Sequence, residues 1–278
     1  MAAPHKLDRP EILQALFYPR QTGHPEPPAG ARDIDIAVAE GVTIGCRLFT
    51  ARREAPVILY FHGNGETVPD YDDIGPFYTG QGLNFLVADY RGYGWSSGSP
   101  LASTLISDGR TLYENIRHWL EENSYTGELF VMGRSLGSIN AIDLAAVNPD
   151  TTSGLIIESG FAETLPLAMT LGIDLHKLGL TEDDGFNNTA KIAGITLPTF
   201  ILHGQRDSLI PVWQAEKLHA ASGARSKEMQ IIPGADHNTM IMQGGRLYFE
   251  TIRRFIDKVT GSDDWRQRRR GRKNRNTN

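Results

Sequence analysis

Cysteine is nearly absent from this chain of 278 residues, which contains a single thiol, Cys46. One cysteine cannot form an intramolecular disulfide, and it excludes a metal cluster built from several thiolates. Cys46 lies in the alternating run 42–49, so we expect a buried, unreactive thiol in a strand. No H-x-x-E-H or H-E-x-x-H spacing occurs. The sequence therefore predicts neither a metal site nor a need for a cofactor.

Long hydrophobic runs are also missing. No apolar stretch approaches the length of about 18 residues that a membrane-spanning helix needs, so no span is expected. Residues 1–14 carry charges and two prolines where a signal peptide would have an apolar segment. We therefore expect a cytoplasmic protein. The composition, 40% hydrophobic and 22% charged, is typical of a folded protein with a sizeable core.

Acidic residues are lacking in the C-terminal segment 265–278, which holds seven of the 28 basic residues. The remaining chain has 21 basic against 33 acidic residues. We expect one folded domain over 1–260 and a basic, disordered tail over 261–278. The tail is most simply a solvated end, and the alternative is contact with anionic surfaces such as nucleic acid or membrane. Nucleic acid is not expected to be an obligatory partner.

Strand-like and helix-like segments alternate along most of the chain, which predicts a mainly parallel sheet with helices on both faces. The run 56–61 is almost wholly apolar, as expected for a strand buried on both faces. The remaining predicted strands are 33–39 and 42–49, which form an edge hairpin, and 84–88, 129–132, 154–158, 199–202 and 228–232. The predicted helices are 101–122, 136–147, 212–221 and 239–259. The sheet therefore has about eight strands.

The interval 161–194 breaks this alternation. It separates two predicted strands and has an apolar content of its own. A long insert of this kind often forms a small cap over an active site, and we predict such a cap here. The alternative is a helix packed on the face of the sheet.

The segment Gly133-Arg134-Ser135-Leu136-Gly137 lies between a predicted strand and a predicted helix. This setting suits a sharp strand-to-helix turn that exposes the serine hydroxyl. A second copy of G-x-S-x-G occurs at 94–98, but it continues into Ser99-Pro100 and no helix begins there. We therefore predict that Ser135 is a nucleophile and that Ser96 lies in a Gly/Ser loop.

Other reactive side chains follow predicted strands, and the carboxyl ends of parallel strands meet at one edge of a sheet. Asp207 and His237 come after two later strands, in the order Ser, Asp, His. An imidazole can take the serine proton, and a carboxylate can orient the imidazole. We predict His237 as the base, Asp207 as its partner, and the amides of Asn64 and Leu136 as donors to an oxyanion.

Other histidines and acidic residues near strand ends compete for these roles. His62 and His203 precede glycines at strand ends, and we expect them to shape those loops by hydrogen bonding. Glu158 also ends a strand and is the alternative to Asp207 as the acid. Asp236 is expected to be a turn residue, because adjacent side chains seldom face each other.

Together the four strand ends resemble those of the α/β-hydrolase superfamily, over residues 17–259. The motifs His62-Gly63-Asn64-Gly65, Asp89-Tyr90-Arg91-Gly92-Tyr93-Gly94, Gly133-Arg134-Ser135-Leu136-Gly137 and His203-Gly204-Gln205-Arg206-Asp207 look most like those of Bem46-type serine hydrolases. Some members of that group carry an N-terminal cysteine cluster for lipid anchoring. That cluster is missing here, so attachment by acylation is not expected.

The resemblance implies an eight-stranded α/β-hydrolase fold and cleavage of a small-molecule ester or thioester. It places the acyl-enzyme on Ser135, with Asp207, His237, Asn64 and Leu136 in the roles given above. The same scaffold leaves acyltransferase or peptidase activity open. A non-catalytic binding protein is the alternative from another class.

Overall fold

A computed structural model describes residues 5–262. The basic segment predicted at 261–278 therefore lies almost entirely outside the described residues. The strands are β1 Ala31–Ala39, β2 Val42–Phe49, β3 Val57–Phe61, β4 Asn84–Ala88, β5 Leu129–Arg134, β6 Gly154–Glu158, β7 Thr199–Gly204 and β8 Lys227–Ile232. The helices are α1 Pro10–Leu16, α2 Gly75–Gly80, α3 Ala102–Glu122, α4 Ser138–Val147, α5 Thr164–Thr170, α6 Asn188–Gly194, α7 Val212–Ala221 and α8 Met240–Thr260.

The eight strands form one sheet in the order β1-β2-β4-β3-β5-β6-β7-β8. Strands β3 to β8 run parallel, and β2 is antiparallel to both of its neighbours. The first two strands therefore form the predicted edge hairpin. Its turn contains Gly41, which has a φ of 68°. In this backbone region glycine avoids the steric cost of a Cβ atom.

Both faces of the sheet carry a hydrophobic core. Along β3, Val57, Leu59 and Phe61 pack into one cluster, and Ile58 and Tyr60 pack into the other. All five side chains are buried, as the uninterrupted apolar run predicts for a strand covered on both sides. The first cluster includes residues of α3, α4, α6 and α7, and the second includes residues of α2 and α8.

The insert 161–194 contains α5, α6 and a 3-10 turn at Glu182–Asp184. Its carboxylate Glu182 accepts hydrogen bonds from the backbone N–H groups of Thr164 and Leu165, and so satisfies the free amides at the start of α5. Most of its apolar side chains are buried in the first core cluster. Met169 is an exception and is 55% exposed. Cap function for this insert stays a prediction.

Several local features were not predicted from the sequence pattern. Helices α1 and α2 were not foreseen, and a 3-10 turn at Ser135–Gly137 precedes α4, which begins at Ser138. Helix α8 is interrupted at Gly245, where φ is 49° and ψ is −132°. The thiol of Cys46 is fully buried in β2, as predicted. Among the helices of residues 5–262, none has the length and apolar character of a bilayer-crossing segment.

Candidate active site

The turn between β5 and α4 is unusually tight. Ser135 has a φ of 52°, in the left-handed region that residues with a Cβ atom rarely adopt. An added Cβ on Gly133 would lie 2.2 Å from the carbonyl oxygen of Gly137. An added Cβ on Gly137 would lie 2.1 Å from the carbonyl oxygen of Phe61. Both glycines are therefore required because backbone segments approach each other too closely for any side chain.

The structure brings three of the predicted residues into hydrogen-bond contact. His237 Nε2 lies 2.9 Å from Ser135 Oγ, and His237 Nδ1 lies 2.8 Å from Asp207 Oδ2. A carboxylate can only accept, so Nδ1–H donates to Asp207 and the Nε2 lone pair faces the serine hydroxyl. All three residues are buried. This tautomer is the one in which imidazole can remove a proton from the serine.

Asp207 is held by its own loop. Its Oδ1 accepts hydrogen bonds from the backbone N–H groups of Leu209 (3.1 Å) and Ile210 (2.8 Å). Its Oδ2 is left for His237, and the side chain is fully shielded from solvent. Two backbone amides and an imidazole N–H together fix the orientation of the carboxylate. The carboxylate can in turn fix the ring of His237.

His203 and His62 contact their loops as expected. His203 Nε2–H donates to the carbonyl oxygen of Ile210 at 2.7 Å, and burial lowers the pKa of its imidazole. The nitrogens of His62 lie 2.8 Å from the carbonyl oxygen of Gly63 and 3.0 Å from Asp89 Oδ1. Neither ring forms a hydrogen bond with Ser135 among the described residues.

Of the two predicted oxyanion donors, Leu136 lies within the turn Ser135–Gly137 and Asn64 lies in the loop that follows β3. Within residues 5–262, the Asn64 N–H donates to no acceptor of the chain, and the Leu136 N–H donates to none outside its own turn. The Asn64 loop is fixed through its side chain, because Oδ1 accepts from the Tyr18 N–H and from the Tyr93 hydroxyl, each at 2.7 Å. Their role as oxyanion donors stays a prediction.

The alternative residues occupy other positions. Ser96 is buried beside the edge hairpin, where its hydroxyl accepts a hydrogen bond from the Gly45 N–H at 2.9 Å. Asp236 is a turn residue on the surface, and it accepts hydrogen bonds from the Asn238 N–H and the Thr239 hydroxyl. Neither one joins the cluster of Ser135, His237 and Asp207.

Glu158, the alternative acid, lies at the end of β6 and is buried. Its Oε2 accepts a hydrogen bond from the Tyr248 hydroxyl at 2.7 Å, and its Oε1 lies 3.5 Å from Arg134 Nε. Burial raises the pKa of this carboxyl, an effect that the Arg134 charge and the Tyr248 hydroxyl only partly offset. Asp207, and not Glu158, is the carboxylate at hydrogen-bond distance from His237.

Sequence reasoning missed two charged residues beside the site, Arg134 and Glu66. They form an ion pair, and Arg134 Nη2 also donates to the carbonyl oxygen of His237 at 2.6 Å. Both residues lie in or next to motifs already singled out, in G-R-S-L-G and directly after H-G-N-G. An arginine at the end of an otherwise apolar strand needs a carboxylate partner, and that requirement signals that Arg134 is paired without identifying Glu66 as the partner.

A cavity of about 470 Å³ adjoins the cluster. Three of its lining residues, Gly65, Arg134 and Asn238, are direct chain neighbours of Asn64, Ser135 and His237 respectively. Its wall contains both polar and apolar residues, which are Arg20, Tyr60, Gly65, Glu66, Asp70, Tyr71, Ile74, Arg134, Glu158, Asn238, Met240, Ile241 and Met242. Its volume falls in the range of pockets that hold small molecules.

Over residues 5–262, no group of three or more His, Cys, Asp or Glu side chains is arranged to hold a metal ion. The polar groups of the site contact one another through hydrogen bonds and ion pairs.

Comparison with known proteins assigns this chain to a family. The family model described as serine aminopeptidase, S33, matches residues 52–174. The protein Bem46 of Schizosaccharomyces pombe is 31% identical over 208 residues, which cover 72% of this chain and 67% of Bem46. The chain belongs to the Bem46-like α/β-hydrolases. The family resemblance and the fold class predicted from the sequence are thus confirmed.

A second relative and a solved structure are also similar to this Bem46-like hydrolase. An uncharacterized protein of Mycobacterium tuberculosis is 29% identical over 238 residues, covering 84% of this chain and 81% of the relative. The esterase Pf2001 of Pyrococcus furiosus matches with a TM-score of 0.70, over 86% of this chain and 98% of its own. At 17% identity, the match to Pf2001 is evidence of the shared fold alone.

Proposed function

We propose that this Bem46-like hydrolase cleaves carboxylic esters or thioesters through an acyl-enzyme on Ser135. The observation that supports this most strongly is the chain of two hydrogen bonds from Ser135 Oγ through His237 to Asp207. The positive φ of Ser135 supports it further, because a strained serine at a strand-to-helix turn is the arrangement that presents a nucleophile.

In the first half-reaction Ser135 Oγ attacks the acyl carbonyl carbon, and its proton moves to His237 Nε2. Asp207 stabilises the imidazolium that forms. The carbonyl oxygen becomes an oxyanion that accepts hydrogen bonds from the Asn64 and Leu136 amides. When the tetrahedral intermediate collapses, the bond to the alcohol or thiol breaks. His237 then returns its proton to that leaving group.

In the second half-reaction a water molecule attacks the acyl carbon of the ester on Ser135. His237 takes one proton from the water, and a second tetrahedral intermediate forms. Its collapse breaks the bond to Ser135 Oγ, which recovers the proton from His237. The carboxylic acid leaves and the free enzyme is restored. These steps use only side chains, backbone amides and water.

The test of this proposal is covalent labelling with a short alkyl fluorophosphonate. An activated serine displaces fluoride from phosphorus and becomes irreversibly phosphonylated. We expect wild type to be labelled and Ser135→Ala not to be labelled. Ser96→Ala is the matched control, since Ser96 occupies the same G-x-S-x-G pattern, and it should be labelled at the wild-type rate. Labelling of Ser135→Ala, or a folded wild type that does not react, would overturn the proposal.

Amide hydrolysis is the second candidate, and the description of the matching family model as a serine aminopeptidase favours testing it. Three substrates test the three bond types: p-nitrophenyl butyrate is an ester, butyryl-CoA is a thioester, and amino-acid p-nitroanilides are amides. We expect the ester and thioester to be turned over with much larger kcat/KM than the anilides. Faster anilide hydrolysis would replace the ester proposal with a peptidase.

We propose that the cavity of about 470 Å³ receives part of the substrate. Its lining includes Arg20 and Asp70, so a hydroxyl-bearing group there can form hydrogen bonds to charged side chains. Glyceryl butyrate and n-propyl butyrate differ mainly in two hydroxyls and form a matched pair. We expect the glyceryl ester to have a kcat/KM about tenfold larger. Equal kcat/KM values for the two esters would show that Arg20 and Asp70 do not contact the substrate.

A further inference from the structure

Arg134 connects three segments that meet at the site. Its Nη1 pairs with Glu66 Oε1, in the loop that follows β3. Its Nη2 donates to the carbonyl oxygen of His237 at 2.6 Å and to Asn238 Oδ1 at 3.2 Å, in the loop that follows β8. Its own backbone directly precedes Ser135. One buried guanidinium therefore contacts both the loop that follows β3 and the loop that follows β8.

Glu66 extends this connection to the predicted oxyanion loop. Its Oε2 accepts hydrogen bonds from the Gly63 N–H and from the Tyr71 hydroxyl, each at 2.7 Å. Gly63 immediately precedes Asn64. Burial alone would raise the pKa of the Glu66 carboxyl, but the Arg134 charge and the Tyr71 hydroxyl hold that pKa below its ordinary value. The carboxylate is thus charged at neutral pH and bonded at both oxygens.

The backbone at Gly63 packs tightly against Arg134 and Glu66. An added Cβ on Gly63 would lie 2.3 Å from Arg134 Nη1 and 3.0 Å from Glu66 Oε2. The loop backbone therefore rests directly on the ion pair. A guanidinium is suited to this position because its planar fork donates in several fixed directions, whereas an ammonium is a single point charge.

We infer that Arg134 is a positioning residue, which fixes the loop of Asn64 and the loop of His237 at the distances from Ser135 that acyl transfer needs. This inference rests on the proposed function. Arg134 touches the carbonyl of the base itself, and its partner Glu66 touches the amide next to the oxyanion donor. A shift of this ion pair would therefore move both groups relative to Ser135.

The experiment compares Arg134→Met, Arg134→Lys and Glu66→Gln with wild type. The measurements are kcat and KM for p-nitrophenyl butyrate, the inactivation rate constant for a short alkyl fluorophosphonate, and the thermal midpoint. We expect Arg134→Met to lower kcat and the inactivation rate about 10²-fold, with KM changed by less than about threefold. Arg134→Lys should restore part of the loss, because one ammonium replaces only some of the contacts.

Arg47→Met is the matched control. Arg47 is also buried and also pairs with two carboxylates, Asp33 and Asp72, but it lies on β2 and contacts neither loop of the site. Its loss should lower the thermal midpoint and leave the inactivation rate of the folded protein unchanged. A fall in thermal midpoint without a fall in rate is therefore the signature of a structural role.

Each outcome decides the inference. A wild-type inactivation rate in folded Arg134→Met would overturn it, and so would a large rise in KM at unchanged kcat, which would mean that Arg134 binds substrate. Where Arg134→Met does not fold, Arg134→Lys and Glu66→Gln decide in the same way: lower kcat in the folded variant, measured well below its own thermal midpoint, supports positioning, and unchanged kcat overturns it. Failure of the proposed function is seen separately, as fluorophosphonate labelling of Ser135→Ala.

Discussion

Alanine at position 133 should distort the tight turn that carries Ser135. The new Cβ would lie 2.2 Å from the carbonyl oxygen of Gly137 and 2.7 Å from the amide nitrogen of Ser138. Both neighbours are backbone atoms, so no side-chain rotation can relieve the contact. The start of α4 must instead move away from the end of β5 by about 1 Å, in a tightly packed interior.

The expected magnitude follows from that displacement. Forcing an extra methyl group into a packed site costs about 1–3 kcal/mol of unfolding free energy. A misplacement of about 1 Å between reacting groups lowers rates about 10²-fold. Gly133→Ala should therefore show both losses, measured by urea unfolding and by kcat/KM for p-nitrophenyl butyrate at a temperature where the variant is folded.

Gly194→Ala is the control for the effect of alanine itself. Gly194 is the last residue of α6, and an added Cβ there would meet no atom within 4 Å. This change should raise the unfolding free energy by about 0.4–1 kcal/mol and leave activity unchanged. Wild-type stability and rate in Gly133→Ala would refute the reasoning, because the backbone contact would then have no energetic consequence.

Three further predictions concern single side chains. Asp207→Asn should keep the fold but lower kcat/KM by about 10⁴-fold, because an amide favours the wrong tautomer of His237; a loss below tenfold would argue against the orienting role. Ser96→Ala should lower the unfolding free energy by about 1–3 kcal/mol, because the Gly45 N–H loses its acceptor, and unchanged urea unfolding would count against that hydrogen bond. The folded-state pKa of Glu66 lies below its ordinary value of 4.5, so its charge stabilises the fold above about pH 4.5 and that contribution is lost as pH falls through the lower pKa. Unfolding free energies between about pH 6 and about pH 3 should therefore fall less in Glu66→Gln than in wild type, and equal slopes would contradict the assignment.

Patterns that depend on the sheet alone could be predicted from the sequence. The apolar run of β3 has no polar face, and a strand covered on both sides needs none. The two copies of G-x-S-x-G could be separated because only Ser135 stands between a strand and a helix. The structure adds the reason for the glycines, which is contact between backbone atoms of β5, α4 and β3.

Contacts between loops could not be predicted in the same way. The pairing of Arg134 with Glu66 joins residues that are far apart in sequence, and no periodic pattern links them. The break in α8 at Gly245 differs, because it falls at the pair Gly244-Gly245, a breaker signal that the helix prediction over 239–259 passed over. The apolar residues of the insert could line a cap or join a core with the same composition, and most of them are buried in the first core cluster.

The buried state of Cys46 has a practical consequence for experiments on this protein. Burial raises the pKa of its thiol well above the ordinary value, and the side chain is fully enclosed. Maleimides and similar reagents attack thiolates that solvent can reach, so the folded native chain should give almost no background. A cysteine introduced at exposed Met242, on the rim of the cavity, could then carry a fluorophore at a single defined position. Such a probe would report the arrival of ligands without any reaction at the serine.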